Sequence, residues 1–233
     1  NFLAGFADAV AKMSETPVIV HGGGKEIADL QLKFGLTPRF VEGLRVTDET
    51  SLAIAEMVLS GRVNKRIVVA LIAAGADAIG LSGVDRALVR VEKMQHPSGD
   101  LGRVGKVVRV RGEVLHDFVA RKIVPVVSPI SLGDEGAYNV NADSVACALA
   151  AALNASAVVF VTNVPGVIQD ERVIPSLTAR QADALIKSQV IKGGMIPKVR
   201  AALDAVASGA QAARITNLEG LKSGSGTEFK NDR

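Results

Sequence analysis

Tryptophan is missing from this 233-residue chain, tyrosine occurs once (Tyr138), and aromatics make up only 3% of it. A surface that stacks bases needs aromatic rings, so a platform for single-stranded nucleic acid is excluded. Cysteine is nearly absent. Cys147 alone excludes an internal disulfide and a cysteine-ligated zinc site. Its place in an Ala-rich run marks it as a small core residue and fits a reducing, cytoplasmic setting. No charge of one sign dominates: 27 Lys and Arg against 24 Asp and Glu leave a net charge of +3. With no basic run, that is a mild bias toward anionic ligands and not a nucleic-acid footprint. Long apolar runs are missing too. The longest, 145–161, is broken by Asn154 and Ser156 and falls short of the ~20 strongly apolar residues of a membrane span. Residues 1–13 read as an amphipathic helix containing Asp8 and Lys12, not as a leader peptide.

Several catalytic signatures are absent as well. There is no Gly-x-x-x-x-Gly-Lys-Ser/Thr, so the chain is not a P-loop nucleotidase. No Gly-x-Gly-x-x-Gly follows a strand with an acidic residue downstream, which weakens a dinucleotide reading. Neither a His/Asp/Glu set at metal-ligand spacing nor a Gly-x-Ser-x-Gly elbow occurs.

What is present is a regular alternation of apolar strands and amphipathic helices in a chain that is 48% hydrophobic. Strands such as 17–20, 123–127 and 157–161 are apolar on both faces, as buried parallel strands are. The pattern predicts an α/β fold with a mainly parallel sheet. Helices are expected over 2–13, 25–34, 51–59 and 63–73. A β-excursion is expected over 87–110, with His96 in an exposed turn and His116 in a short helix.

Three stretches carry the chemistry. His21-Gly22-Gly23-Gly24 joins a buried strand to a helix, the geometry that aims backbone N–H groups at an anion with no Cβ in the way. A plain tight turn is the simpler reading. Asn139-Val140-Asn141-Ala142-Asp143 precedes the Ala-rich helix; Asp143 suits a cap, but that leaves Asn139 and Asn141 without a role. In Gly193-Gly194-Met195-Ile196-Pro197-Lys198, Pro197 marks the first helical position and Lys198 falls in the opening turn. The helix dipole disfavours a cation there unless an anion joins it, so with Lys192 upstream the stretch reads as a triphosphate site or as solvated lysine. Arg45, in a connecting segment, is either a carboxylate clamp or a solvated side chain.

These residues resemble the amino-acid kinase family, and within it the branch that acts on N-acetyl-L-glutamate in arginine biosynthesis. Besides the three stretches above, the matching segments are Gly43-Leu44-Arg45-Val46-Thr47-Asp48, Val63-Asn64-Lys65, Gly80-Leu81-Ser82-Gly83 and Asn163-Val164-Pro165-Gly166. They occur in the family's order over nearly the whole chain.

The resemblance implies an open three-layer α/β/α sandwich, with residues 1–152 binding acetylglutamate and 153–233 binding ATP. Phosphoryl transfer from ATP to the γ-carboxylate is implied, with Mg²⁺ carried on the nucleotide phosphates and no metal ligands from the protein. Gly23 and Gly24 would donate N–H bonds near the transferring group. Arg45 would pair with the substrate's α-carboxylate, and Asn139 would hold the amino-acid framework. Lys198 would neutralise the phosphoryl, with Asp143 orienting it. The nucleotide would lie along Asn163, Val164, Pro165, Gly166, Val167 and Ile168, and along Val190, Ile191 and Lys192. A homo-oligomer, dimer or hexamer, with arginine feedback is implied; nucleic acid and membrane partners are not.

The family opens with a strand carrying Lys-x-Gly-Gly, whereas this sequence starts at Asn1 in the following helix; the expectation is that a preceding segment is not included here. Asn163 stands where many relatives carry Asp. An acylated aminoadipate acceptor, or an inactive sensor of the same fold, are the alternative readings.

Overall fold

The structure, a computed structural model, describes residues 1–230. Helix α1 (Phe2–Ala11) opens the chain, with Phe2 stacked on Phe6 one turn later. Strand β1 (Ile19–Val20) is short because Pro17 brings no N–H to a ladder and the glycines leave it. Helix α2 (Gly24–Lys33) follows, then the hairpin of β2 (Phe40–Val41) and β3 (Leu44–Arg45). Its turn residues Glu42 and Gly43 both have positive φ (48° and 83°), as a two-residue hairpin turn of this hand requires.

Asp48 caps helix α3 (Glu49–Glu56), its carboxylate accepting from the Ser51 N–H at 2.8 Å. The helix does not end where the sequence pattern breaks. A π-helical segment, Met57–Val63, carries it on into α4 (Asn64–Ala73). The two helices expected at 51–59 and 63–73 are therefore one continuous rod, whose wider turn accommodates the shift in periodicity.

Strands β4 (Ala78–Gly83), β5 (Val89–Lys93) and β6 (Gly105–Val110) come next, β5 and β6 forming the expected antiparallel excursion. Helix α5 (Gly112–Ala120) carries His116 and leads to β7 (Val124–Gly133), then β8 (Gly136–Asn139) and α6 (Ala142–Leu153). The remainder comprises β9 (Val158–Val161), the small hairpin β10 (Ile168–Gln169) and β11 (Arg172–Val173), β12 (Ser176–Thr178), α7 (Ala179–Lys187), α8 (Met195–Ala207), β13 (Ala213–Thr216), α9 (Leu218–Ser223) and β14 (Thr227–Lys230).

The residues divide into two compact units, Val10–Val145 and Asn1–Ala9 with Ala146–Arg233, the division falling within α6. In the first unit β7 is the hub, pairing in parallel with β1 and β4 and antiparallel with β8, and meeting β5 at its far end. It is longer than the expected 123–127 and buried along almost its whole length. Pro129 is tolerated inside it because the β4–β7 register shifts there, between Ser82 and Gly83. Ile27, Leu52, Val58, Leu59 and Val63 pack with Ile130 into the core of this unit.

In the second unit the sheet order is β12-β14-β13-β9, parallel except for β13–β14. Helix α8 lies on it through fully buried Val199, Ala202 and Ala205, small residues that let the helix approach Ile215 and Phe229 closely. The α/β expectation holds, and the mixed, largely parallel pairing is that of the fold the sequence resembles. No helix among the described residues is long and apolar enough to cross a membrane.

Candidate active site

The glycine turn sits at the C-terminal end of β1, where the chain leaves the sheet, and α2 springs directly from it. Gly23 is the N-cap of α2 and offers no side chain, so the first-turn N–H groups go uncapped. Among the described residues the Gly23 N–H has no acceptor, while its carbonyl takes the first helical bond from Ile27 at 3.0 Å. Exposed donors and the positive end of a helix coincide here, as an anion site needs. Gly23 also has a packing reason to be glycine: a Cβ would lie 2.8 Å from Leu59 Cδ2.

Arg45 is not in a solvated connection, as the sequence left open. It lies in β3 and is 8% exposed. Its Nη2 donates to the Gly24 carbonyl at 2.7 Å and its Nη1 to Gln31 Oε1, while the guanidinium covers the Phe40 ring at 4.7 Å. Burial pulls its pKa down, yet an arginine stays charged throughout the working range. Gln31 in turn donates to Ser51 Oγ at 2.9 Å, joining α2, β3 and α3.

Asn139, at the end of β8, donates to Thr47 Oγ1 at 3.3 Å, and Thr47 donates to the Arg45 carbonyl at 2.8 Å. The structure thus brings Gly24, Arg45 and Asn139 into one connected polar cluster within the first unit. The start of α6 belongs beside it, since a Cβ on Gly22 would touch Ala142 at 3.9 Å.

Asp143 does not cap α6. That task falls to exposed Asn141, whose Oδ1 accepts from the Ser144 N–H at 3.1 Å, because Asp143 is already inside the first turn. Its carboxylate is half-buried and has no hydrogen bond or ion pair within its own unit.

In the second unit, α8 begins at Met195 with Gly194 as its N-cap, two residues before the start expected from Pro197. Pro197 still lacks only an N–H that would be orphaned anyway. Lys198 remains at the first turn, half-buried and without a partner in its own unit. Gly193 has φ +55°, the left-handed conformation that lets the chain turn from exposed Lys192 into the helix.

The 163–168 loop is fixed by Thr227, whose hydroxyl accepts from the Val167 N–H at 2.8 Å and donates to the Ile174 carbonyl at 2.7 Å. A Cβ on Gly166 would meet that hydroxyl at 2.6 Å. Val167 and Ile191 bury their side chains in one core cluster, which leaves their backbone as the part available to a ligand. Asn163, Ile168 and Lys192 are exposed, whereas Val164, Pro165 and Val190 are half-buried.

Two contributors, Gln31 and Ser51, escaped the sequence reading, and two more, Thr47 and Asn64, stood in matching segments without a role assigned to them. Gln31 was legible in principle as a polar residue one turn after Ile27 on the buried face of α2. His96, expected in an exposed turn, has only 11% of its side chain exposed and faces Glu42 at 3.6 Å.

Residues 3–217 match the model of the amino acid kinase family. An acetylglutamate kinase of Roseiflexus sp. (strain RS-1) is 60% identical over 221 residues, covering 95% of this chain and 85% of the relative. An acetylglutamate kinase of Chloroflexus aurantiacus is 50% identical over 231 residues, covering 98% of this chain and 91% of the relative. Among solved structures, smu.665 of Streptococcus mutans UA159 superposes with a TM-score of 0.83 at 30% identity, covering 99% of this chain and 92% of that one. With the glycine-led α2, the buried Arg45 and the glycine-led α8 on strands in this order, the chain belongs to the amino acid kinase family.

Proposed function

We propose that the chain is an acetylglutamate kinase, transferring the γ-phosphoryl group of ATP to the γ-carboxylate of N-acetyl-L-glutamate, a step of arginine biosynthesis. The close relatives bearing that name support it, and so does one geometric observation. An uncapped helix N-terminus with glycine N–H groups that have no acceptor among the described residues lies hydrogen-bonded to a buried guanidinium, so donors for two anionic groups stand side by side.

In this reading a γ-carboxylate oxygen attacks the γ-phosphorus, the bond to the bridging oxygen breaks, and ADP leaves with its electron pair. The acceptor carboxylate is ionised at neutral pH, so no base has to deprotonate it. Catalysis is positioning and electrostatics. Gly23 and Gly24 donate N–H bonds near the phosphoryl group. Arg45 holds the α-carboxylate through the N–H groups it does not spend on Gly24 and Gln31, and Asn139 holds the amino-acid framework. Lys198 carries the positive charge that offsets the transferring phosphoryl, and Asp143 is the acidic member of the catalytic set. Residues 163–168 and 190–192 bind the nucleotide.

Mg²⁺ would be held mainly by the nucleotide phosphates, where it would offset their charge. Among the described residues no three His, Cys, Asp or Glu side chains converge. Assembly into a homo-oligomer and feedback by arginine belong to the same proposal.

Incubation with ATP, Mg²⁺ and acetylglutamate, with hydroxylamine added, tests it. The acyl phosphate should be trapped as a hydroxamate in step with ADP release. Absence of both products would sink the proposal, and a faster reaction with the acylated aminoadipate homologue would change the acceptor.

A further inference from the structure

A buried polar chain runs behind the glycine turn and no part of the mechanism above uses it. His21 is 7% exposed and Asn64 1%. His21 Nδ1 lies 3.1 Å from the carbonyl oxygen of Gly22, and Nε2 lies 3.2 Å from Asn64 Nδ2. The orientation of the Asn64 amide is fixed by its other neighbours. Its Nδ2 faces the Val126 carbonyl at 2.8 Å and the Leu81 carbonyl at 3.2 Å, both able only to accept. Its Oδ1 faces Lys65 Nζ at 3.2 Å, able only to donate. Asn64 can present only N–H groups to His21, two hydrogens shared among three acceptors, and Nδ2 cannot accept; Nε2 therefore carries a lone pair, and Nδ1, which faces the Gly22 carbonyl oxygen, carries the proton. Gly80 makes room for the arrangement, because a Cβ there would overlap Asn64 Oδ1.

The consequence follows from the planar trans peptide. The Gly22 carbonyl and the Gly23 N–H belong to one peptide unit and point in opposite directions. Drawing the carbonyl toward His21 turns the Gly23 N–H to the opposite side, where it has no acceptor among the described residues. We propose that His21 and Asn64 are a positioning pair: Asn64 fixes His21 as the neutral Nδ1–H tautomer, and His21 holds the Gly22 carbonyl so that the Gly23 N–H is aimed at the transferring phosphoryl group. This rests on the kinase reading above.

A second ring proton would set an N–H against the Asn64 N–H and break the chain. Burial already pushes the His21 pKa below its usual value, opposed by the bond to Gly22. The charged groups around it are Arg66, which adds to the lowering, Glu26, which opposes it, and Lys65 on Asn64. From α6, packed against Gly22, the ionisable group is Asp143. Strands β1, β4 and β7 carry no ionisable side chain.

The test uses the full chain with ATP, Mg²⁺ and acetylglutamate, reading kcat and KM across pH. His21→Ala should lower kcat by about tenfold or more with KM for acetylglutamate little changed, since one aimed donor is lost. His21→Asn, whose amide can still donate to the Gly22 carbonyl, should recover most of that loss. Asn64→Asp places a carboxylate beside Nε2, favours the doubly protonated ring, and should move the acid limb of kcat to higher pH. Adding His21→Asn to Asn64→Asp should abolish that shift. An acid limb unmoved by Asn64→Asp, or one persisting in the double variant, would overturn the proposal. So would a His21→Asn enzyme no better than His21→Ala.

Ring ¹⁵N chemical shifts of His21, read without substrates, separate this inference from the kinase reading. The Nδ1–H tautomer is expected at pH 7, and an Nε2–H tautomer refutes the pair whether or not the chain turns over acetylglutamate.

Discussion

Arg45 shows how one side chain can be structural and functional together. Two of its five N–H donors are committed to Gly24 and Gln31, and the others have no hydrogen-bond partner among the described residues. Arg45→Ala should raise KM for acetylglutamate by tenfold or more. It should also destabilise the fold by ~1–3 kcal/mol, because a buried carbonyl and the Gln31 amide lose their donor. Arg45→Lys should recover little, since an ammonium cannot reproduce the planar fork. Denaturant midpoints beside Michaelis curves check both, and an unchanged KM would remove the carboxylate-clamp role.

Lys198 behaves oppositely. It is half-buried and unpartnered within its unit, so Lys198→Ala should change stability by less than about 0.5 kcal/mol. The same change should lower kcat by ~10²–10³ if its charge acts on the transition state. Loss of stability without loss of kcat would contradict this assignment.

At the scale of elements, the starts of α2 and α6 are used differently. Helix α2 has no side-chain cap and keeps its donors open, while α6 is closed by Asn141. Asn141→Ala should therefore cost ~1 kcal/mol of stability, the usual worth of a lost cap. Asp143→Ala should cost less stability than that and far more activity, because no partner in its unit depends on it. Thermal melts of the two variants decide which residue is the cap.

The long rod from α3 through the π turn to α4 has its own role: it sets Leu59 and Val63 under Gly23 and Asn64 beside His21. Gly80→Ala would push Asn64 out of that place and should destabilise by ~1–3 kcal/mol, as overpacking does. Equal stability for Gly80→Ala would mean the helix and strand separate more easily than the structure indicates.

For the whole molecule, pH acts through the buried His21. Its folded-state pKa is depressed by burial, so the fold favours the neutral ring, while the unfolded chain titrates near 6.5. The unfolded state then binds more protons below that value, and stability is lost as pH falls from about 6.5 toward the folded-state pKa. Above about 6.5 this contribution is fully present. Chemical denaturation at a series of pH values should show the loss, and His21→Asn should lack that component of it.

Alternating apolar strands and helices, glycine turns at helix starts and the order of the short motifs were all readable from the residues, because backbone geometry and burial periodicity are local properties. The α/β class and the identity of the stretches around Gly23, Arg45, Asn139 and Lys198 followed from them. What the chain order alone left undecided were matters of one-residue register and long-range contact. Asn141 rather than Asp143 became the cap because the helix starts at Ala142. Arg45 became buried because α2 supplies a carbonyl and Gln31 to receive it. Asn64 could meet His21, 43 residues away in sequence, only once β4 and β7 had brought their carbonyls to the same point. Tertiary structure decides such pairings because a buried polar group is stable only where partners from other segments satisfy it.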